Sequence, residues 1–248
     1  MPSNSLPMMR SNPTRLSTAV FNMKAAALRT HRTVTDLRNP IPRHQQRNGC
    51  TLPFTIARSQ TELFPDPRPS EQWHQRAKVE NLRLAAPCLD GCFIPAGEVF
   101  SFWRQVGKVS VSRGFQLGRA LQEGSLILSV GGGLCQLSNA VFQVAVQSGC
   151  EILERHCHSR LIPGSAMAAG RDAAVAWNYV DLRFRSSVDL ELTIALTADH
   201  LIVEMHAGVH DFRGAQSPEP FAIRPLDDDP ACSTCTSNCF RRRVLPQS

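Results

Sequence analysis

The stretch Gly131–Gly149, GGGLCQLSNAVFQVAVQSG, constrains this chain more than any other. Three consecutive glycines meet a cysteine, and behind it Leu134, Leu137, Val141, Val144, Ala145 and Ser148 recur at three- and four-residue steps. That spacing is one face of an α-helix, so a helix has to start near Cys135 and bury an apolar stripe. Cys135 then falls in the first turn, where unpaired backbone N–H groups and the helix dipole favour negative charge. A thiol placed there ionises more readily than a free one, and the thiolate is the nucleophilic and metal-binding form. Gly131, Gly132 and Gly133 can take φ > 0 and bring bare amides to an anion. The same residues also fit a plain turn followed by a small buried cysteine.

Around this stretch the sequence divides into three parts. Residues 1–50 hold eight Lys or Arg against one acid, Asp36, so the net +6 of the 248-residue chain is concentrated there and the rest is close to neutral. A global charge argument for nucleic-acid binding is thereby removed. The leader is rich in Arg, Ser, Thr and Asn and has no sustained apolar period, which predicts a largely disordered segment over 1–70, with PDPRPS (65–70) as a linker. Its best apolar run, Leu16 to Leu28, is broken by Asn22 and Lys24 and makes a poor secretory signal. No run is long enough to span a membrane, and the expected compartment is the cytoplasm.

Residues 71–210 read as a single α+β domain with a mainly antiparallel sheet and one central helix after the GGGLCQ turn. A helix is expected over Glu71–Ala86, capped by Ser70 and ended by Pro87. Strands are expected over Val99–Trp103, over a stretch of Phe115–Leu128 ending near Val130, and over Glu151–Leu161. Leu190, Leu192, Ile194 and Leu196 alternate with polar or small residues, and a turn at Ala198-Asp199-His200 leads to Leu201, Val203 and Met205, the clearest hairpin in the chain. From residue 211 the pattern is lost, and the tail carries Cys232-x-x-Cys235-x-x-x-Cys239.

Three constellations bear on chemistry. A cysteine nucleophile needs a base, and the base is usually oriented by a third polar group. On a strand following the Cys135 helix, Ile152, Glu154, His156, His158 and Arg160 share one face at period two. His156 or His158 can serve as base, with Asp172 as the orienting carboxylate and Asp181 second. Gln136 and the Gly132 and Gly133 amides can supply an oxyanion site. Such a reaction needs no cofactor. A zinc set of His156, His158 and either Cys135 or Cys157 competes with this reading. In the tail, Cys232, Cys235 and Cys239 are candidate ligands for zinc or an iron–sulfur cluster, with no fourth ligand nearby. Nine cysteines, an odd number, and no export signal favour thiolate chemistry or metal binding over a disulfide framework.

The motifs IPAGEVFSFWRQVG, GGGLCQLSNAVFQVAVQSG, ERHCHS, GRDAAVAW and DLRF, in that order, resemble the VanW family of bacterial proteins, named for an accessory protein of vancomycin-resistance clusters. The resemblance runs from about Phe93 to Ala207. It departs from the family's pattern at Asn139, where a threonine or serine is usual. Some members look like L,D-transpeptidases, which cross-link peptidoglycan stem peptides through a cysteine. The resemblance therefore implies Cys135 as nucleophile, His156 or His158 as base, Asp172 in support, and a peptide or cell-wall precursor as substrate. An accessory or binding domain without catalysis is the alternative it leaves open.

Overall fold

The computed structural model describes residues 15–49, 51–122, 125–157 and 172–208. Helices and antiparallel strands mix in one α+β domain, as the apolar periods predict. The main sheet has the order β1–β9–β8–β2, from strands Phe54–Glu62 (β1), Cys92–Ile94 (β2), Leu190–Leu196 (β8) and His200–Ala207 (β9). A second sheet, β3–β7–β6, joins Val99–Ser101, Arg183–Arg185 and Glu151–Glu154, and a hairpin pairs Leu117–Gln122 (β4) with Ser125–Val130 (β5). The stretch expected to hold one strand ending near Val130 thus folds back on itself. The predicted Leu190–Met205 hairpin forms in the expected register, with Leu192 opposite Met205 and Ile194 opposite Val203.

The central helix α4 spans Cys135–Gln147. Its stripe of Leu137, Ala140, Val141, Val144 and Ala145 is buried, packed over β1 and β9 and reaching β6. Helix α2, Gln72–Ala85, lies against β4. Ser70 does not cap it; a short 3-10 turn over Pro69–Glu71 leads in instead. The expected strand Val99–Trp103 stops at Ser101, whose hydroxyl accepts the Arg104 N–H at 3.2 Å and so starts a short helix, α3, at Phe102–Val106. Phe100 and Phe184 sit opposite each other on β3 and β7, with their rings stacked 4.6 Å apart.

The basic segment requires a correction. Residues 15–38, expected to be disordered, form a 24-residue helix, α1. Helices of this kind are marginal alone and need tertiary packing. Here Ala25 is buried, Phe21 and Leu28 are half-buried, and three polar side chains on the same face reach the body. Arg29 donates to the Trp177 carbonyl at 2.7 Å, Arg32 donates to both Glu154 oxygens, and Asp36 accepts from Arg183 at 2.9 Å. Within the stretch expected as leader and linker, β1 pairs with β9 along its whole length, apart from an irregularity near Ile56. The tail 211–248, including Cys232, Cys235 and Cys239, lies outside the described residues.

Candidate active site around Cys135

The glycine turn is locked from two sides. Asn81 of α2, fully buried, donates to the carbonyls of Gln116 and Gly132 at 3.0 and 2.9 Å and accepts the Gln116 N–H at 2.8 Å. Gly132 lies so close to β4 that a Cβ there would overlap the Gly118 carbonyl and stand 2.7 Å from the Arg119 oxygen. Gly133, at φ +98°, has Lys78 of α2 against it, and a Cβ would stand 2.9 Å from the Lys78 Cβ. Two of the three glycine amides are also engaged: Gly131 donates to Gln116 O at 2.9 Å and Gly132 to Ser129 O at 3.0 Å. The Gly133, Leu134 and Cys135 amides, by contrast, donate to no carbonyl among the described residues. The glycines therefore serve close packing first, and the amides without a carbonyl partner among the described residues begin at Gly133.

Cys135 is the first residue of α4, and its half-buried thiol donates to the Val175 carbonyl at 3.7 Å. The segment that carries that carbonyl is held two residues earlier, at Ala173, by the next turn of the same helix. The Ser138 hydroxyl donates to Ala173 O at 2.5 Å, and the Asn139 side-chain oxygen accepts the Ala173 N–H. Asn139 is thus a clamp between α4 and the segment after Asp172. Gln136 turns away from an oxyanion role: its amide donates to Thr61 Oγ1 at 2.9 Å and Glu62 O at 2.8 Å, fastening α4 to the end of β1.

His156 meets the same segment from its other side. Its carbonyl accepts the Ala174 N–H at 2.7 Å in an isolated bridge, because β6 ends at Glu154 instead of running to Leu161. The imidazole Nε2 lies 3.4 Å from Glu154 Oε1, so the period-two face that places the two residues together is real, and a carboxylate beside this histidine is Glu154. Among the described residues the Cys135 thiol has no imidazole partner. Asp172 is buried directly before Ala173. His158 lies outside the described residues.

Glu154 anchors a buried ionic cluster whose members lie far apart in the sequence. Its two oxygens accept from Arg32 at 2.7 and 2.5 Å, and Oε1 also accepts the Asp181 N–H at 3.1 Å. Burial pushes its carboxyl up, but hydrogen bonds from His156 and Arg32, with the charges of Arg32 and Arg183, bring it down to about 2. Asp181, fully enclosed, is pushed up by burial, against the pull of Arg183. It accepts from Ser101 at 2.6 Å, from the Trp103 N–H at 3.1 Å and from Arg183 at 2.9 Å. Asp181 is therefore a structural tie between FSFW and DLRF, not a partner for the base. The alternation of Glu154 and His156 was a visible signal; their partners Arg32 and Arg183, from distant segments, were not.

On the opposite flank of the turn, burial lowers the Lys78 amine to about 8. Cys92 and Cys150 are buried, and burial raises both thiols to about 12, which suits packing and not chemistry. Among the described residues no three His, Cys, Asp or Glu side chains group to hold a metal ion. No helix among them is long and apolar enough to cross a membrane.

The site is thus a glycine turn wedged between α2 and β4, a cysteine opening the next helix, and Ser138 and Asn139 clamping the following segment of an α+β domain. Residues 77–206 match the family model described as VanW like protein, and the chain belongs to the VanW family. It is 33% identical over 152 residues to the Vancomycin B-type resistance protein VanW of Enterococcus faecalis, covering 60% of this chain and 55% of that protein. It is 31% identical over 119 residues to the Uncharacterized protein YoaR of Bacillus subtilis, covering 48% of this chain and 39% of that protein. The chain thus spans about half or less of the length of these curated relatives. No solved structure matches.

Proposed function

We propose that this domain is a cysteine-dependent acyl transferase or peptidase of the L,D-transpeptidase type, acting on peptidoglycan-type peptides through an acyl-Cys135 intermediate. The observation that carries this reading is the half-buried thiol at the first residue of α4, next to first-turn amides that donate to no carbonyl among the described residues. A helix start of this kind stabilises negative charge developing on a substrate oxygen. The cysteine sulfur, its proton passed to a histidine, attacks the peptide carbonyl carbon. The C–N bond breaks, and the departing amine takes that proton. An acceptor amine or water then cleaves the thioester and returns the proton to sulfur. His156 or His158 is the base, Asp172 and Glu154 are the supporting carboxylates, and no cofactor is required.

By its name, the Enterococcus faecalis relative is a vancomycin B-type resistance protein. On that ground we carry an involvement in vancomycin resistance to this chain, with a cytoplasmic wall-precursor peptide as substrate. Zinc or iron–sulfur binding by Cys232, Cys235 and Cys239 is a separate proposal, which elemental analysis of the purified protein with and without residues 211–248 decides. A non-catalytic accessory role is the second reading, favoured by the bond from the Cys135 thiol to Val175 O and by the lack of an imidazole partner among the described residues.

The test is intact-mass analysis after incubation with a stem tetrapeptide. The expected result is an acyl adduct mapping to Cys135, absent in Cys135→Ala and retained in Cys88→Ala, all three unfolding at the same urea concentration. An adduct that survives Cys135→Ala refutes the nucleophile. No adduct, together with alkylation of Cys135 no faster than of half-buried Cys88, favours the accessory role.

A further inference from the structure

Among the described residues the contacts of α1 with the body come from its inner face, while its outer face carries large exposed apolar side chains. Leu16, Val20 and Met23 at one end and Val34 and Leu37 at the other run along it, and Ala27 and Thr30 between them complete a row at alternating steps of four and three. Leu16, Met23 and Leu37 are 76%, 71% and 76% exposed. Such a row repeats at the spacing of a coiled-coil seam and extends along a helix of about 36 Å. Lys24, His31 and Arg38 follow one edge, all exposed, while Ala19, Ala26 and Thr33 follow the other. The only acid in the helix, Asp36, is turned inward onto Arg183.

We propose that α1 is an interfacial helix that docks its outer face on an anionic lipid surface. A helix with an apolar stripe and basic flanks lies in the plane of a headgroup layer, apolar side chains inserted and cations among the phosphates. A straight stripe of this kind suits a flat surface, and the one-signed edge supplies charge complementarity to it. A second copy of α1 is the poorer fit. The basic edge would face the Ala and Thr edge in a parallel pair and another basic edge in an antiparallel one, so no interhelical ion pairs would set the partner. Lys24 and Arg38, two of the eight basic residues in 1–50, have their role here, while Arg29 and Arg32 hold the helix to the body. Because Arg29, Arg32 and Asp36 hold the inner face, the docked helix would carry the whole domain to the surface.

The test uses the full chain and sucrose-loaded vesicles, one set of phosphatidylcholine alone and one of phosphatidylcholine with one third phosphatidylglycerol. Each basic side chain near an anionic surface contributes roughly fivefold in partitioning, so at least about tenfold more protein should sediment with the anionic set at about 0.1 M salt. Raising the salt to about 0.5 M should reverse most of that gain, since the Debye length shortens about twofold, from about 10 Å to under 5 Å. The triple change Leu16→Gln, Met23→Gln, Leu37→Gln keeps helix propensity and should lower binding by at least about tenfold, with far-ultraviolet circular dichroism and urea midpoint unchanged. Equal binding to both vesicle sets, no binding to either, or undiminished binding of the triple variant would overturn the proposal. So would a dimer in sedimentation velocity that the triple change dissociates, which would assign the face to a second copy.

Discussion

Replacing Glu154 with Gln tests the cluster that joins α1 to the two smaller strands. The carboxylate accepts from Arg32 at 2.7 and 2.5 Å and from the Asp181 N–H at 3.1 Å, with His156 at 3.4 Å and Arg183 at 3.6 Å. Burial opposes its charge, yet His156 and Arg32 overcome that and set its pKa at about 2, against an ordinary 4.5. At about 1.4 kcal/mol per pH unit, this interval corresponds to ~3 kcal/mol held by the ionised form. Relief of Asp181, which burial chiefly and Glu154 in part push up, returns some of it. Glu154→Gln should therefore cost about 2–3 kcal/mol at pH 7, in line with breaking a buried pair, and lower the melting temperature by about 4–12 °C. The sign of the pH dependence is fixed. The unfolded carboxyl takes up its proton near 4.5 and the folded one only near 2. The stabilisation is thus complete above the first value and fades as pH falls toward the second. Urea titrations of wild type and variant at pH 7 and pH 3 read the difference, which should shrink in acid. A variant within about 0.5 kcal/mol of wild type at pH 7, or a gap that widens in acid, would refute the ion-pair account.

Gly132→Ala places a Cβ against the Gly118 carbonyl and 2.7 Å from Arg119 O, both backbone groups that cannot turn aside. It should cost more than about 3 kcal/mol by urea unfolding, above ordinary overpacking; Gly149→Ala, with φ +66° but open space, should lose only about 1 kcal/mol. Lys78→Met should stabilise the domain at pH 7, because burial lowers the lysine from 10.5 to about 8 and its charge is a cost to the folded state. Wild type regains that cost as pH rises from about 8 to 10.5, where the folded lysine has lost its proton and the unfolded one has not, so the gap between the two proteins should close over that window in parallel urea titrations.

The sequence was legible where periodicity is local and strong. The α4 stripe, the Leu190–Met205 hairpin and the shared face of Glu154 and His156 all follow from spacing, and the structure keeps them. The α1 helix is hidden in the sequence because Asn22 and Lys24 interrupt its apolar run. Phe21, Ala25, Leu28, Arg32 and Thr35 nonetheless recur at three- and four-residue steps, with two of the five positions polar. A period sought in apolar residues alone passes over a face anchored by Arg29, Arg32 and Asp36 to partners more than a hundred residues away. β1 was missed for a related reason. FTIARSQTE has a weak alternation, and its place beside β9 is set by tertiary pairing instead of propensity. At the site, the type of each residue was readable but its engagement was not. Gln136 is a fastening to Thr61 and Glu62, and Gly132 a packing glycine, because α2 and β1 arrive there from elsewhere in the chain.

These engagements tie the basic helix to the cysteine through one short piece of backbone. Residues 173–180 accept the Cys135 thiol at Val175, the Ser138 hydroxyl at Ala173, Arg29 at Trp177 and Arg32 at Tyr179. The same piece bridges to His156 at Ala174, and Trp103 fixes its far end by donating to Val180 O at 2.8 Å. Its position is therefore determined jointly by α4, β6, α3 and α1. Of the three helices among these, α1 is bound by the fewest buried apolar groups, so its loss should be the easiest change to make without unfolding the core. Freed of Arg29 and Arg32, the segment would keep its clamps at Ser138 and Asn139 but lose its outer restraints, and Glu154 would keep His156 and Arg183 while losing its closest cation. Residues at the Cys135 end should thus hold their geometry, and the His156 end should loosen. Hydrogen exchange on a variant carrying Arg29→Ala and Arg32→Ala should show this as faster exchange at Ala176 and Val180 with Ala173 unchanged.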